Sequence, residues 1–167
     1  MAAHSRVAKT ALMGVIWAAA TQANGADIVT DGTLGKANHR FAGPSFELTP
    51  KYGKRAGANL FHSFRQFSID QNQTATFTGP SSVQNVLARV TGGARSDING
   101  GLRCSIPGAN LFLMNPAGVV FGPGASLDVT GSFAVTTADF LVAPRGERFD
   151  ASASATSVLF TDAPAAF

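Results

Sequence analysis

The chain has 167 residues, 45% of them apolar and only 14% charged, against roughly a quarter charged in ordinary globular proteins. That length supports one domain with a real hydrophobic core, and plentiful glycine, serine, threonine and asparagine mark it as rich in strands and turns. The formal charge of +3 includes Arg6 and Lys9, whereas all ten acidic residues lie beyond residue 25, so the rest of the chain is close to neutral and its charge argues little for nucleic acid or an anionic membrane as partner.

In chain order, residues 1–25 read as a secretory signal peptide. His4, Arg6 and Lys9 form a basic n-region, Ala11 to Ala20 is an apolar stretch too short to span a bilayer, and Ala23 and Gly25 are small residues placed for cleavage before Ala26. A retained anchor or an amphipathic helix is the weaker alternative. No later segment is apolar over the roughly 18 residues that a transmembrane helix needs.

Ala26 to Leu34 is β-prone and is broken by the turn pair Asp31-Gly32; it reads as a first strand that caps a core. Gly35 to Gly57 is the most charged part. It holds one short strand around Ser45-Phe46-Glu47-Leu48-Thr49, and the cluster Lys51-Tyr52-Gly53-Lys54-Arg55 reads as a solvated loop rather than a nucleic-acid patch. In Asn59 to Ile69, Phe61, Phe64 and Phe67 stand three apart. A helix face and a strand with a kink are both compatible with that spacing, and the aromatic content favours the strand. His62 has no second histidine or cysteine near it, so a packed or surface histidine is expected rather than a metal ligand. Thr74 to Thr78 is a strand stopped by Gly79-Pro80.

From Ser82 onward short apolar runs alternate with turn clusters. Val86, Ala88 and Val90 interleave with Leu87 and Arg89; Ile98 precedes Asn99-Gly100-Gly101; Leu102 and Cys104 precede Ile106-Pro107-Gly108. Cys104 is the single cysteine, so no internal disulfide forms, and a small buried hydrophobe is its expected role. Leu111 to Met114, Val119 to Phe121 and Leu127 to Val129 are three more strands, divided by Asn115-Pro116-Ala117-Gly118 and Gly122-Pro123-Gly124. A period of about 22 residues pairs Val90 with Phe112 and Ala134, Ile98 with Val120, and Leu111 and Leu113 with Phe133 and Val135. Three short strands per period are the signature of a parallel β-helix. The expected layout is a cap with first strands over 26–79, coils over 80–141 and a loose part over 142–167 that lacks an obvious polar cap.

Catalytic chemistry is not expected. Between Ser82 and Leu141 the acids are Asp97, Asp128 and Asp139, each isolated, although Asp97 and Asp139 fall about two turns apart. There is no phosphate loop, nucleophile elbow or Cys/His cluster, so no cofactor and no metal is expected.

The ordered series ADIVTDGTLG, NLFHSFRQFSI, VLARVTGG, IPGANLFLMNPAGVVFGPGASLDVTGSFAVTTADF and GERFDAS resembles the N-terminal secretion domain of filamentous haemagglutinin-like exoproteins of bacterial two-partner secretion, the haemagglutination activity domain. The resemblance implies an all-β fold, a right-handed parallel β-helix with an N-terminal cap and extra-helical strands. It implies recognition in the periplasm by the POTRA domains of an Omp85-type outer-membrane pore, followed by secretion or display at the cell surface, with any contact to host glycans made through a longer adhesin-like chain. The family's Asn-Pro-Asn-Gly motif maps onto Asn115, Pro116, Ala117 and Gly118, with Asn110 and Leu111 opening the same strand; alanine stands at the third motif position. Asparagine, proline and glycine at the first, second and fourth positions still suit a type I turn. A stand-alone carbohydrate-binding module, and a β-helix polysaccharide lyase or hydrolase, are the competing readings.

Overall fold

The computed structural model describes residues 27–152 and 157–166, so the signal peptide inferred for residues 1–25 lies outside the described residues. Among the described residues there are fifteen short strands: β1 (Ile28–Asp31), β2 (Ala37–Arg40), β3 (Ser45–Leu48), β4 (Gly53–Ala56), β5 (Asn59–Phe67), β6 (Thr74–Phe77), β7 (Asn85–Val90), β8 (Ser96–Ile98), β9 (Gly101–Cys104), β10 (Asn110–Met114), β11 (Val119–Phe121), β12 (Ser126–Val129), β13 (Phe133–Thr136), β14 (Phe140–Val142) and β15 (Arg148–Asp150).

Most of them stack in register as the coils of a parallel β-solenoid of about four turns. Sheet A carries the order β13-β10-β7-β5-β1-β2, with β4 also paired to β5. Sheet B runs β12-β9-β6-β3, and sheet C pairs β11 with β8. One coil therefore passes through sheet B, sheet A and sheet C in turn, as in β9, β10 and β11. The corners are sharp because glycine stands where coils nearly touch: a Cβ on Gly100 would lie 2.3 Å from the carbonyl oxygen of Asp70 in the preceding coil.

Inside the coils Leu60, Phe64, Val86, Ala88, Leu111 and Leu113 of sheet A face Phe46, Leu48, Ala75, Phe77, Leu102 and Cys104 of sheet B, all buried. Burying each large apolar side chain contributes about 1.5–3 kcal/mol, which supplies the stability that disulfides provide elsewhere. Cys104 is 2% exposed and packs as one of these hydrophobes, burial pushing its thiol pKa up. The Asn59 stretch is one strand with a bulge. Val29 pairs with Gln66 and Thr30 with Phe64, which leaves Arg65 unmatched and returns Phe67 to the same inner side as Phe64.

Three expectations are corrected. Phe112 stacks on Leu87 rather than Val90, and Ile98 meets Phe121 rather than Val120, whereas the pairs Leu111–Phe133, Phe112–Ala134 and Leu113–Val135 hold. The cause is variable corner length: stacked positions are 26 residues apart from Asn59 to Asn85 and 25 from Asn85 to Asn110, but 22 from Asn110 to Ser132. The charged stretch Lys51 to Arg55 is no loop; Pro50–Tyr52 forms a 3-10 turn and Gly53–Ala56 is β4, antiparallel to β5. Residues 142–167 are not loose in their described part. β14 and β15 form an antiparallel hairpin, and residues 157–162 run beyond it as a strap. Asp97 and Asp139, read from the sequence as isolated acids, stand apart: Asp97 pairs with Arg95 beside one groove and Asp139 lines another.

The two ends of the solenoid differ. β1, β2 and β4 cover the first coil, whereas Phe121, Leu127 and Val135 of the last coil, stacked over Ile98, Leu102 and Leu113, are 42%, 49% and 42% exposed.

Candidate functional site

The turn after β10 is built around one asparagine. Asn115 is fully buried and every polar group it carries is engaged. Its backbone N–H donates to Thr136 O at 3.0 Å, extending the β10–β13 ladder, and its carbonyl accepts from Gly118 N at 2.9 Å, closing the turn. Its Oδ1 accepts from Ala117 N at 3.0 Å, while Nδ2 donates to Ala94 O at 3.0 Å and to Ser96 Oγ at 2.9 Å in the preceding coil. An Asx turn laid over a four-residue turn fixes the chain direction here, and Gly118 completes it at a φ of +110° that other residues adopt only with strain. Gly118 O then accepts from Ser96 N at 3.0 Å. The cross-coil bond thus belongs to the first motif asparagine, and the third position needs no amide to hold the fold.

Pro116 and Ala117 are exposed and Gly118 is half-buried. Pro116 and Ala117, with Thr91 and Gly93 of the preceding coil and with Asp139, Asp150, Ala151 and Ser152 from the C-terminal part, line an open groove of about 440 Å³. Asp139 is exposed there, and Asp150 is held at 3.6 Å by Arg148.

Asn110 and Leu111 lie at the opposite end of β10, about 16 Å of strand away. Leu111 is fully buried between Val86 and Phe133. Asn110 belongs to an asparagine ladder: its Nδ2 donates to Asn85 Oδ1 at 2.9 Å, Asn85 Nδ2 donates to Asn59 Oδ1 at 2.9 Å, and its own Oδ1 accepts from Ser132 N at 2.9 Å in the last coil. The structure therefore brings Asn115, Pro116, Ala117 and Gly118 together, and leaves Asn110 and Leu111 apart from them.

Two clusters were missed in the sequence. The ladder had a readable signal, an asparagine followed by leucine or valine at 59, 85 and 110. The second cluster centres on Arg89, 1% exposed on the outer side of β7. Its Nε donates to Ser63 Oγ at 2.7 Å, Nη1 to Asp150 O at 2.6 Å and Ser157 Oγ at 2.8 Å, and Nη2 to Thr33 Oγ1 at 2.8 Å, and its guanidinium lies 4.6 Å from the Phe149 ring centroid. Burial pushes the Arg89 pKa down, and Asp31 and Asp150 oppose it. Ser63 Oγ in turn donates to Asp31 Oδ2 at 2.5 Å. Burial alone would raise the Asp31 pKa, but its bonds from Ser63, Thr33 and Thr91 outweigh that and hold the carboxyl below its usual range.

His62 is fully buried against the rings of Phe64 and Phe77, and its nitrogens have no hydrogen bond of normal geometry, though the Tyr52 backbone lies close. Burial pushes its pKa down to about 4, so it is a neutral packing residue. Among the described residues no three His, Cys, Asp or Glu side chains are grouped to hold a metal ion, and no helix is long and apolar enough to cross a membrane.

The heme/hemopexin-binding protein of Haemophilus influenzae is 37% identical over 73 residues, which is 44% of this chain but 8% of that protein. No solved structure matches. The model of the family described as the TPS secretion domain matches residues 26–162 of the 167. The chain belongs to that family, the secretion domain of two-partner secretion exoproteins, whose members are exported with the help of a partner transporter and are secreted or surface-associated.

Proposed function

We propose that this domain is the address read by an Omp85-type outer-membrane pore through its periplasmic POTRA domains, after the signal peptide has brought the chain to the periplasm. The observation that carries the reading is the division of labour in the Asn115 turn. Asn115 engages its polar atoms inside the fold, whereas Pro116 and Ala117 are presented at the rim of a groove. Leu111 is reachable only in an extended chain, since the folded coil covers it completely. Two recognition modes follow: strand addition to the unfolded Asn110–Gly118 segment, with Leu111 setting the register, and contact of the folded groove with the pore's periplasmic face. Folding outside the cell then opposes backsliding, because each completed coil buries further apolar surface. Adhesive or ligand-binding activity, including contact with host glycans, belongs in this reading to a longer exoprotein.

The test is binding of the mature chain, native and denatured, to the purified periplasmic domains of the cognate pore. Leu111→Ser should weaken binding of the denatured chain by about tenfold, the loss of one anchoring contact, and leave an address elsewhere in the sequence untouched. Absence of measurable affinity in both forms would sink the reading.

A further inference from the structure

The outer face of sheet A is apolar across three successive coils, through Phe61 of β5, Leu87 of β7, and Phe112 and Met114 of β10. The coils cannot cover it themselves, and it is sealed by Leu34 from the cap, Phe149 from the hairpin and Phe160 from the strap. The strap, residues 157–162, touches this face at a few anchor points. Phe160 is 3% exposed with its ring 5.4 Å from that of Phe61, Asn59 Nδ2 donates to Phe160 O at 2.9 Å and Asp162 O at 2.6 Å, and Val158 N donates to Arg148 O at 3.0 Å.

The polar anchors complete what the coils leave undone. In the asparagine ladder each Nδ2 donates back to the Oδ1 of the coil before it, so Asn59, in the first rung, has no asparagine to donate to. Fully buried, its amide would be an unpaired donor without the two strap carbonyls. Arg89 has the same dependence: both acceptors of its Nη1, Asp150 O and Ser157 Oγ, come from the hairpin and the strap. The first two coils bury groups that only residues some 60 to 100 positions later satisfy.

We propose that the outer face of sheet A is a docking site for an extended peptide with an aromatic anchor, that residues 157–162 occupy it in cis, and that this occupation is the separable last step that locks the fold. The inference goes beyond the transport reading and does not rest on it, and its test needs no transporter.

A labelled peptide of residues 157–166 is titrated against the complete mature chain, wild type and Phe160→Ala. Removing the anchor frees the site, so the peptide should bind the variant at least about tenfold more tightly than the wild type, and a peptide carrying the same alanine should bind neither chain. Equal affinity for both chains, or no binding to either, overturns the proposal. Hydrogen exchange on the wild-type chain tests it without a variant. The amide of Val158 should open before those of the β14–β15 ladder, and well before β6 and β9; exchange of Val158 only at the rate of β14 and β15 or at the global rate of β6 and β9 overturns it.

Discussion

The two faces of sheet A are built from the same strands and held by opposite means. On the inner face, Leu60, Val86 and Leu111 are stacked neighbours in successive coils, so each contact joins residues about one turn apart. On the outer face, Phe61 meets Phe149 and Phe160, and Asn59 is bonded to Phe160 across 101 residues. The inner face is a repeat, in which each coil templates the next. The outer face is an assembly of distant segments that must arrive, and its buried polar groups are satisfied only when they do.

Phe77→Ala should do the greatest damage. Phe77 packs on His62, Phe64 and Phe67 at the centre of the column, and its truncation should cost about 4 kcal/mol in urea denaturation. Phe149→Ala on the outer face should cost about 3 kcal/mol and leave the coils folded. The opposite ranking would break the contrast between a templated core and a docked cover.

The faces also differ in how they titrate. The His62 pKa is about 4 in the folded chain against 6.5 in its absence, so below pH 6.5 the unfolded chain binds a proton that the folded chain refuses. Stability contributed by the inner face is intact above pH 6.5 and falls by about 3 kcal/mol as pH drops toward 4. Asp31 of the outer network has its carboxyl pKa lowered from 3.8, so its contribution is intact above that value and is lost only in stronger acid. Stability measured against pH should show two separate declines, and His62→Leu should abolish the upper one alone.

A smaller effect sharpens the outer side. Arg89 serves Ser63, Thr33, Asp150 and Ser157 from three separate nitrogens, which a lysine ammonium cannot reach from one point. Arg89→Lys should cost about 2 kcal/mol even though charge is kept. A double-mutant cycle with Ser157→Ala should show coupling between them.

This contrast explains what was legible in the sequence. Strands β10, β11 and β12 were readable within one residue because apolar runs and Gly/Pro corners are local signals, and the register of β10 on β13 followed from their spacing. The register of β7 under β10 slipped because its corner is longer than the one that follows. The sequence assigned Arg89 no role beyond an alternating position in its strand, since the segments that bury it, Thr33, Phe149 and Ser157, lie far away in sequence. The turn motif was read correctly as a turn, but the cross-coil bond of Asn115 required the fold.

The gentlest change bears most on function. Ala117 is exposed, and only its backbone N–H contributes to the turn, by donating to Asn115 Oδ1. Ala117→Asn adds a polar side chain at the rim of the groove without displacing a packed atom, so stability should stay within about 0.5 kcal/mol of the parent. Asn115→Ala, by contrast, removes the bonds to Ala94 and Ser96 from a fully buried site and should cost about 2 kcal/mol. If the groove is what the pore's periplasmic domains contact, Ala117→Asn should raise the affinity of the folded chain, and Asn115→Ala should lower it only in step with stability. Should Ala117→Asn leave folded-chain affinity unchanged while Leu111→Ser weakens the denatured chain, recognition resides in the extended strand and the groove plays no part in it.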